Sequence, residues 1–263
     1  MIISHKYRLL FIGLPFSASS AISKELYLQH EGKPRLKKHS LYYEFKKTAT
    51  KDERNYFVFA VLRNPMEIAV TVYEKMKANA KGNFTNPDLF VENGGHITRK
   101  QRRAFKFIQN KNATFQQYFK KFFNKPYDNL ASLCLDNCDY VIRYKNIRED
   151  YLSALKKAGV SNPRPLPVAN KTAGKKKDMA IYYTDDIKEK AIFVFGPFLE
   201  KHNCSFPEKW GEVRVPFKSK IQFWILTILR RLNQRWFKKN TEKFGLKGTI
   251  YGDIQRDELK ESS

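Results

Sequence analysis

Two short stretches combine residue types and spacings that suit a ligand anionic at both ends. Residues 9–20 read Leu-Leu-Phe-Ile-Gly-Leu-Pro-Phe-Ser-Ala-Ser-Ser, and a helical pattern over Ala21 to Gln29 follows. An apolar strand entering a small-residue turn that opens a helix aims backbone N–H groups, the positive end of the helix dipole and several hydroxyls at one spot. That spot is a seat for a phosphate or a sulfate ester. It is not a Walker loop, because no Gly-Lys-Ser/Thr follows at the required spacing. A strand, turn and helix with an ordinary Ser N-cap has the same outline. The second stretch, Tyr56 to Leu62, is a near-continuous apolar run that ends in Arg63-Asn64-Pro65. Arg63 thus falls at the carboxyl end of a strand, where open α/β sheets bind ligands. Thr71 lies eight positions on, about two helical turns away. An Arg fork with a hydroxyl beside it suits a second phosphate.

These residues need elements to position them. Apolar runs at Leu9 to Ile12, Tyr56 to Leu62 and Tyr140 to Tyr144 predict buried strands. Helical patterns are expected over about Ser20–Gln29, Met66–Lys77, Arg99–Gln109, Thr114–Phe123, Arg148–Ala158 and Asp185–Lys201. Pro65 suits a first helical turn, and Gly159 suits a C-cap. Phe105, Phe107, Phe115, Tyr118, Phe119 and Phe122 read as core rather than ligand contacts. The Asn- and Gly-rich stretch Asn79 to Thr98 reads as a loop that could cover an acceptor. Strands alternating with helices predict an α/β fold.

The pair "PFSASS" and "RNP…T" resembles the two cofactor-binding signatures of sulfotransferases that use 3′-phosphoadenosine 5′-phosphosulfate (PAPS). Three further segments match the order found in Golgi-type, heparan 2-O and bacterial carbohydrate sulfotransferases: "KKHSLYYEF", "DYVIRYKNIREDY" and "PLPVANKT". Together the five cover most of residues 8–210. The resemblance implies a P-loop-like three-layer fold with a central parallel sheet flanked by helices. It implies a 5′-phosphosulfate loop made by Phe16, Ser17, Ala18, Ser19 and Ser20, and a 3′-phosphate site at Arg63 and Thr71. It also implies that His39 is the general base that takes the acceptor hydroxyl proton, a task suited to a neutral imidazole. Without the family, His39 reads as a surface histidine in a basic loop. At Phe16 the family usually carries a Lys that supports the leaving group, and Phe can neither donate a hydrogen bond nor supply charge. Lys171 in "ANKT" is the expected substitute cation, because the matching family loop folds over the cofactor; Lys24 is the weaker choice. The expected reaction moves a sulfuryl group from PAPS to a hydroxyl of a carbohydrate or glycolipid, without a metal. The alternative is a noncatalytic member of the fold that binds anionic glycan, lipid or nucleic acid.

The composition points to a polyanionic partner. Fifty Lys and Arg against 26 Asp and Glu give a formal net charge of +24, which attracts anionic glycans, acidic membranes or nucleic acids. No nucleic-acid motif of recognised spacing is present, so nucleic acid is the lesser option. Three cysteines, Cys134, Cys138 and Cys204, with no metal-ligand spacing, suit a reducing compartment or incidental buried thiols. The chain runs directly into the Leu9 strand without a signal-peptide pattern. No apolar run reaches the length of a membrane span. The expected location is the cytoplasm, with a peripheral place on the inner face of a membrane. Residues 1–210 are read as the sulfotransferase-like domain and 211–263 as a basic extension. In that extension Ile221 to Lys239 forms an amphipathic pattern. Ile221, Trp224, Ile225, Ile228, Leu229, Leu232 and Trp236 fall on one face, with Gln222, Arg231, Gln234 and Lys238 opposite. Such a helix suits an anionic bilayer interface or docking on the domain or a second subunit.

Overall fold

The computed structural model describes residues 1–36, 39–129, 131–167, 174–175, 178–236 and 252. The strands are β1 (Ile2–Ser4), β2 (Leu9–Ile12), β3 (Lys33–Pro34), β4 (Phe57–Leu62) and β5 (Tyr140–Arg143). The helices are α1 (Ser19–Gln29), α2 (Tyr42–Thr48), α3 (Pro65–Lys77), α4 (Arg99–Lys111), α5 (Phe115–Phe122), α6 (Ala131–Cys134), α7 (Ile147–Lys157), α8 (Asp185–Lys201) and α9 (Phe217–Trp236). The chain divides into two compact units. Among the described residues the first draws on 1–63 and 131–167, and the second on 64–129 and 174–236. Helix α9 groups with the second unit.

The first unit is built on a five-stranded sheet of order β3-β1-β2-β4-β5. Strands β2, β4 and β5 run parallel, with Ile12 opposite Ala60 and Leu62 opposite Arg143. Their apolar runs bury Leu9–Ile12 and Val58–Leu62 completely or nearly so, as strands covered on both faces require. The sheet is not wholly parallel, which corrects the parallel sheet expected from the sequence. Strand β1 pairs antiparallel with β2 and with β3. A short strand can return beside its neighbour through a tight turn, whereas a parallel strand needs a long crossover. Phe11, Phe59 and Ile142 pack with Ile22 and Leu26 of α1 and with Tyr151 and Leu155 of α7. Gly159 ends the α7 segment at φ +85°, a left-handed position that glycine adopts without strain.

The second unit has its own core around α3, α4, α5 and α8. Phe115, Tyr118, Phe119, Tyr183 and Phe195 are buried there with Val70 and Tyr73. Thr98 and Thr114 cap α4 and α5, and Gln101 and Gln117 three residues on complete reciprocal capping boxes. The Asn79–Thr98 loop is pinned at both ends by Phe84 and Ile97, which lie in this core.

Helix α9 docks through a side chain that the sequence pattern placed on no face. Pro197 inside α8 has no N–H, so the carbonyl of Phe193 loses its intrahelical donor. The Ser219 hydroxyl, fully buried, donates to that carbonyl instead. Phe223 and Thr227 follow on the same face and are buried. Arg230 pairs at 2.7 Å with Asp128, whose side chain is 1% exposed. The contact is an ion pair rather than an aligned hydrogen bond. The side opposite the apolar stripe is therefore docked through Ser219, Phe223, Thr227 and Arg230, while Arg231 of the expected basic back is exposed. Residues 237–239 of the expected helix lie outside the described residues. Ser219→Ala should strand the Phe193 carbonyl and lower unfolding free energy by about 1–3 kcal/mol. Chemical denaturation measures this, and an unchanged midpoint would deny the bond any role in docking α9.

Candidate functional site

The carboxyl ends of three adjacent parallel strands bring the site together. Strand β2 ends at Ile12 and leads into Gly13–Ala18; β4 ends at Leu62 and leads into Arg63; β5 ends at Arg143 and leads into Tyr144. In-register parallel pairing sets these three exits side by side, at the edge where open α/β sheets hold ligands.

The Gly13–Ala18 loop is shaped by bonds to its own carbonyl groups. His39 Nδ1 bonds the Gly13 carbonyl at 2.6 Å. The Ser17 hydroxyl, 2% exposed, donates to the Pro15 carbonyl at 3.1 Å. Arg63 Nη1 donates to the Phe16 carbonyl at 2.9 Å. Phe16 and Ala18 take left-handed backbone conformations, φ +59° and +54°, which side chains adopt at some strain. Ala18 is also the N-cap of α1 and contributes no side-chain cap. The sequence allowed an ordinary Ser cap; instead the helix starts at Ser19, and Ser17 closes the loop upstream of it. This geometry turns carbonyl groups toward protein donors and leaves the α1 amino end, with its partial positive charge, without a side-chain cap at its N-cap position.

Arg63 is buried, at 8% exposure, and its guanidinium lies over the Tyr144 ring at 4.2 Å. A cation held against an aromatic face and a carbonyl is oriented before any ligand arrives. Tyr144 was missed as a site residue in the sequence. Its signal was its place at the end of an expected buried strand, within the segment "DYVIRYKNIREDY".

His39 is half-buried. A carbonyl oxygen can only accept, so Nδ1 must carry the proton in the bond to Gly13. In the neutral ring the lone pair is then on Nε2, the form that a proton acceptor needs. Sequence separation between His39 and Gly13 is 26 residues, and between Arg63 and Phe16 it is 47.

The remaining sequence-predicted residues are distributed as follows. Ser19 is buried and Ser20 half-buried in the first turn of α1. Phe16 is 36% exposed. Lys24 is exposed on α1. Thr71 is 2% exposed on α3 and belongs to the second unit, whereas Arg63 belongs to the first. Lys171 lies outside the described residues. The proline-rich segment leading toward it is tethered by Arg164, which forms a bidentate pair with Glu25 of α1, whose side chain is 3% exposed.

Compared with models of protein families, with curated proteins and with solved structures, the chain matches none. Function must therefore be argued from the site itself.

The second unit has a cavity of its own, about 590 Å³, lined among others by Tyr73, Glu74, Lys77, Phe115 and Tyr182. The Tyr182 hydroxyl donates to Glu74 at 2.8 Å. Burial, and secondarily the Glu74 charge, pushes the Tyr73 hydroxyl up to about 12, so it stays a neutral donor to the Ala113 carbonyl. Burial likewise raises the Cys138 thiol well above its ordinary range, which leaves it a poor nucleophile near neutral pH. Among the described residues no helix is long and apolar enough to cross a membrane.

Proposed function

We propose that the chain is a sulfotransferase that moves the sulfuryl group of PAPS to a hydroxyl of a carbohydrate or glycolipid, on a P-loop-like three-layer variant of its α/β fold. One observation carries this reading. The candidate base His39 and the candidate phosphate ligand Arg63 each bond a carbonyl of the same Gly13–Ala18 loop. The base and the 3′-phosphate ligand are thereby both tied to the loop that would hold the 5′-phosphosulfate.

The donor supplies an activated sulfuryl group whose leaving group is adenosine 3′,5′-bisphosphate. The acceptor oxygen forms a bond to sulfur as the bond from sulfur to the phosphate oxygen breaks, and the leaving group keeps that electron pair. His39 Nε2 takes the hydroxyl proton, while the Gly13 bond fixes the ring tautomer. Arg63 binds a phosphate, and the amino end of α1 faces negative charge. Negative charge growing on the leaving group calls for a cation, and Lys171 is the assigned source because Phe16 cannot provide it.

Phe16 also favours a second reading, a noncatalytic member of the fold that binds an anionic glycan or lipid. A sulfate-transfer assay with radiolabelled donor against acidic polysaccharides and glycolipids separates the two. The enzyme reading expects transfer by the parent protein, a loss in Lys171→Ala, and equal or higher turnover in Phe16→Lys. If adenosine 3′,5′-bisphosphate binds but only Phe16→Lys sulfates an acceptor, the noncatalytic reading stands.

A further inference from the structure

We propose that the outward face of α9 lies in the headgroup region of an anionic lipid bilayer. This does not depend on the sulfotransferase reading. Two anchors fix the rotation of the helix: the buried Ser219 hydroxyl on the Phe193 carbonyl and the Arg230 pair with the buried Asp128. Between them Phe223 and Thr227 are buried, so docking uses positions i, i+4, i+8 and i+11. At 100° per residue the opposite side is an arc of about 100°. It holds Phe217, Ile221, Trp224, Ile225 and Ile228, between 38% and 76% exposed.

Five large apolar side chains on one face, in the open, form the kind of patch that marks an interaction surface. Charge decides the partner. Lys218 borders the arc on one side and Lys220 and Arg231 border it on the other, all exposed. Lys220 is partly neutralised by Glu200 at 2.8 Å; the chain as a whole carries +24. A second copy would bring the same cations and the same net charge to the contact, whereas anionic headgroups complement both. An apolar stripe that includes a Trp, with cations along its edges, is the pattern of a helix lying in an interface. Because its other side is docked, α9 meets the bilayer side-on and does not cross it.

The test uses the full chain with vesicles of phosphatidylcholine, with and without phosphatidylglycerol. Sedimentation with the anionic vesicles is expected, weakened by salt, with a blue shift of tryptophan emission that Trp224→Phe abolishes. Ile225→Gln combined with Ile228→Gln should lower partitioning about tenfold or more. Its melting temperature should match the parent's, since both side chains already face outward. Absence of sedimentation with anionic vesicles would overturn the proposal, as would equal partitioning of parent and variant. A concentration-dependent dimer dispersed by the same two substitutions would assign the face to a second copy instead.

Discussion

His39→Ala should lower sulfuryl-transfer turnover by about 10²–10⁴-fold, the usual worth of a positioned general base, with little change in affinity for adenosine 3′,5′-bisphosphate. The proton on the acceptor hydroxyl must leave as oxygen attacks, and His39 presents the tautomer able to take it. Its Nδ1 proton is committed to the Gly13 carbonyl at 2.6 Å. That same bond gives His39 a structural duty, so loss of activity in the alanine variant has two explanations. His39→Asn separates them. Asn keeps an N–H that can reach the Gly13 carbonyl but has no basic nitrogen. If His39 is the base, the Asn variant regains the parent's melting temperature and bisphosphate affinity but not its turnover. The acid-side fall in the parent's rate, where a protonated ring can no longer accept, should also vanish from the residual activity. Full turnover in His39→Asn would remove His39 from the chemistry and leave it as a tether of the loop.

Arg63→Ala should weaken binding of adenosine 3′,5′-bisphosphate by about 2–3 kcal/mol, roughly 30- to 150-fold, the scale of a charge-assisted bond. Arg63 is buried, stacked on Tyr144 and bonded to the Phe16 carbonyl. It is therefore preorganised, and little ordering entropy opposes its contact with phosphate. Its bond to Phe16 again raises a structural alternative, and ligand choice resolves it. If Arg63 holds the 3′-phosphate, calorimetry on the parent should show bisphosphate preferred over adenosine 5′-phosphate. In Arg63→Ala that preference should collapse, since both ligands then bind through the remaining 5′ site. Arg63→Lys should recover only part of it, because an ammonium cannot make the planar two-pronged contact. A variant that weakens both ligands equally would show Arg63 to be a support of the Gly13–Ala18 loop and not a 3′-phosphate ligand.

The elements that hold the site were largely legible in the sequence because their signals are local. Leu9–Ile12, Phe57–Leu62 and Tyr140–Arg143 are strands where apolar runs announced them. Helix α8 spans Asp185–Lys201 as its pattern indicates, and Thr98 and Thr114 begin α4 and α5 through capping boxes written in four consecutive residues. Periodicity and caps act over one or two turns, so one segment suffices to read them. Strands β1 and β3, three and two residues long, left no such signal. Their existence depends on pairing partners supplied by the rest of the sheet.

What only the tertiary structure decided are the contacts across the chain and the rotation of α9. Parallel register at β2, β4 and β5 puts Gly13, Arg63 and Tyr144 at neighbouring strand ends. No local pattern in the chain states that His39 meets Gly13 or that Arg63 meets Phe16. For α9, amphipathicity alone left the stripe of Ile221, Trp224, Ile225 and Ile228 open to a bilayer interface or to docking on protein. The missing N–H of Pro197 leaves a buried carbonyl in need of a donor, and Ser219 supplies it. Leaving that carbonyl unpaired in the interior would cost about 1–3 kcal/mol. Phe16 to Ser20, His39 and Arg63 were therefore legible in the sequence as candidate site residues. Their mutual placement, and the face that α9 offers outward, followed from strand register, one buried hydrogen bond and one ion pair to a buried carboxylate.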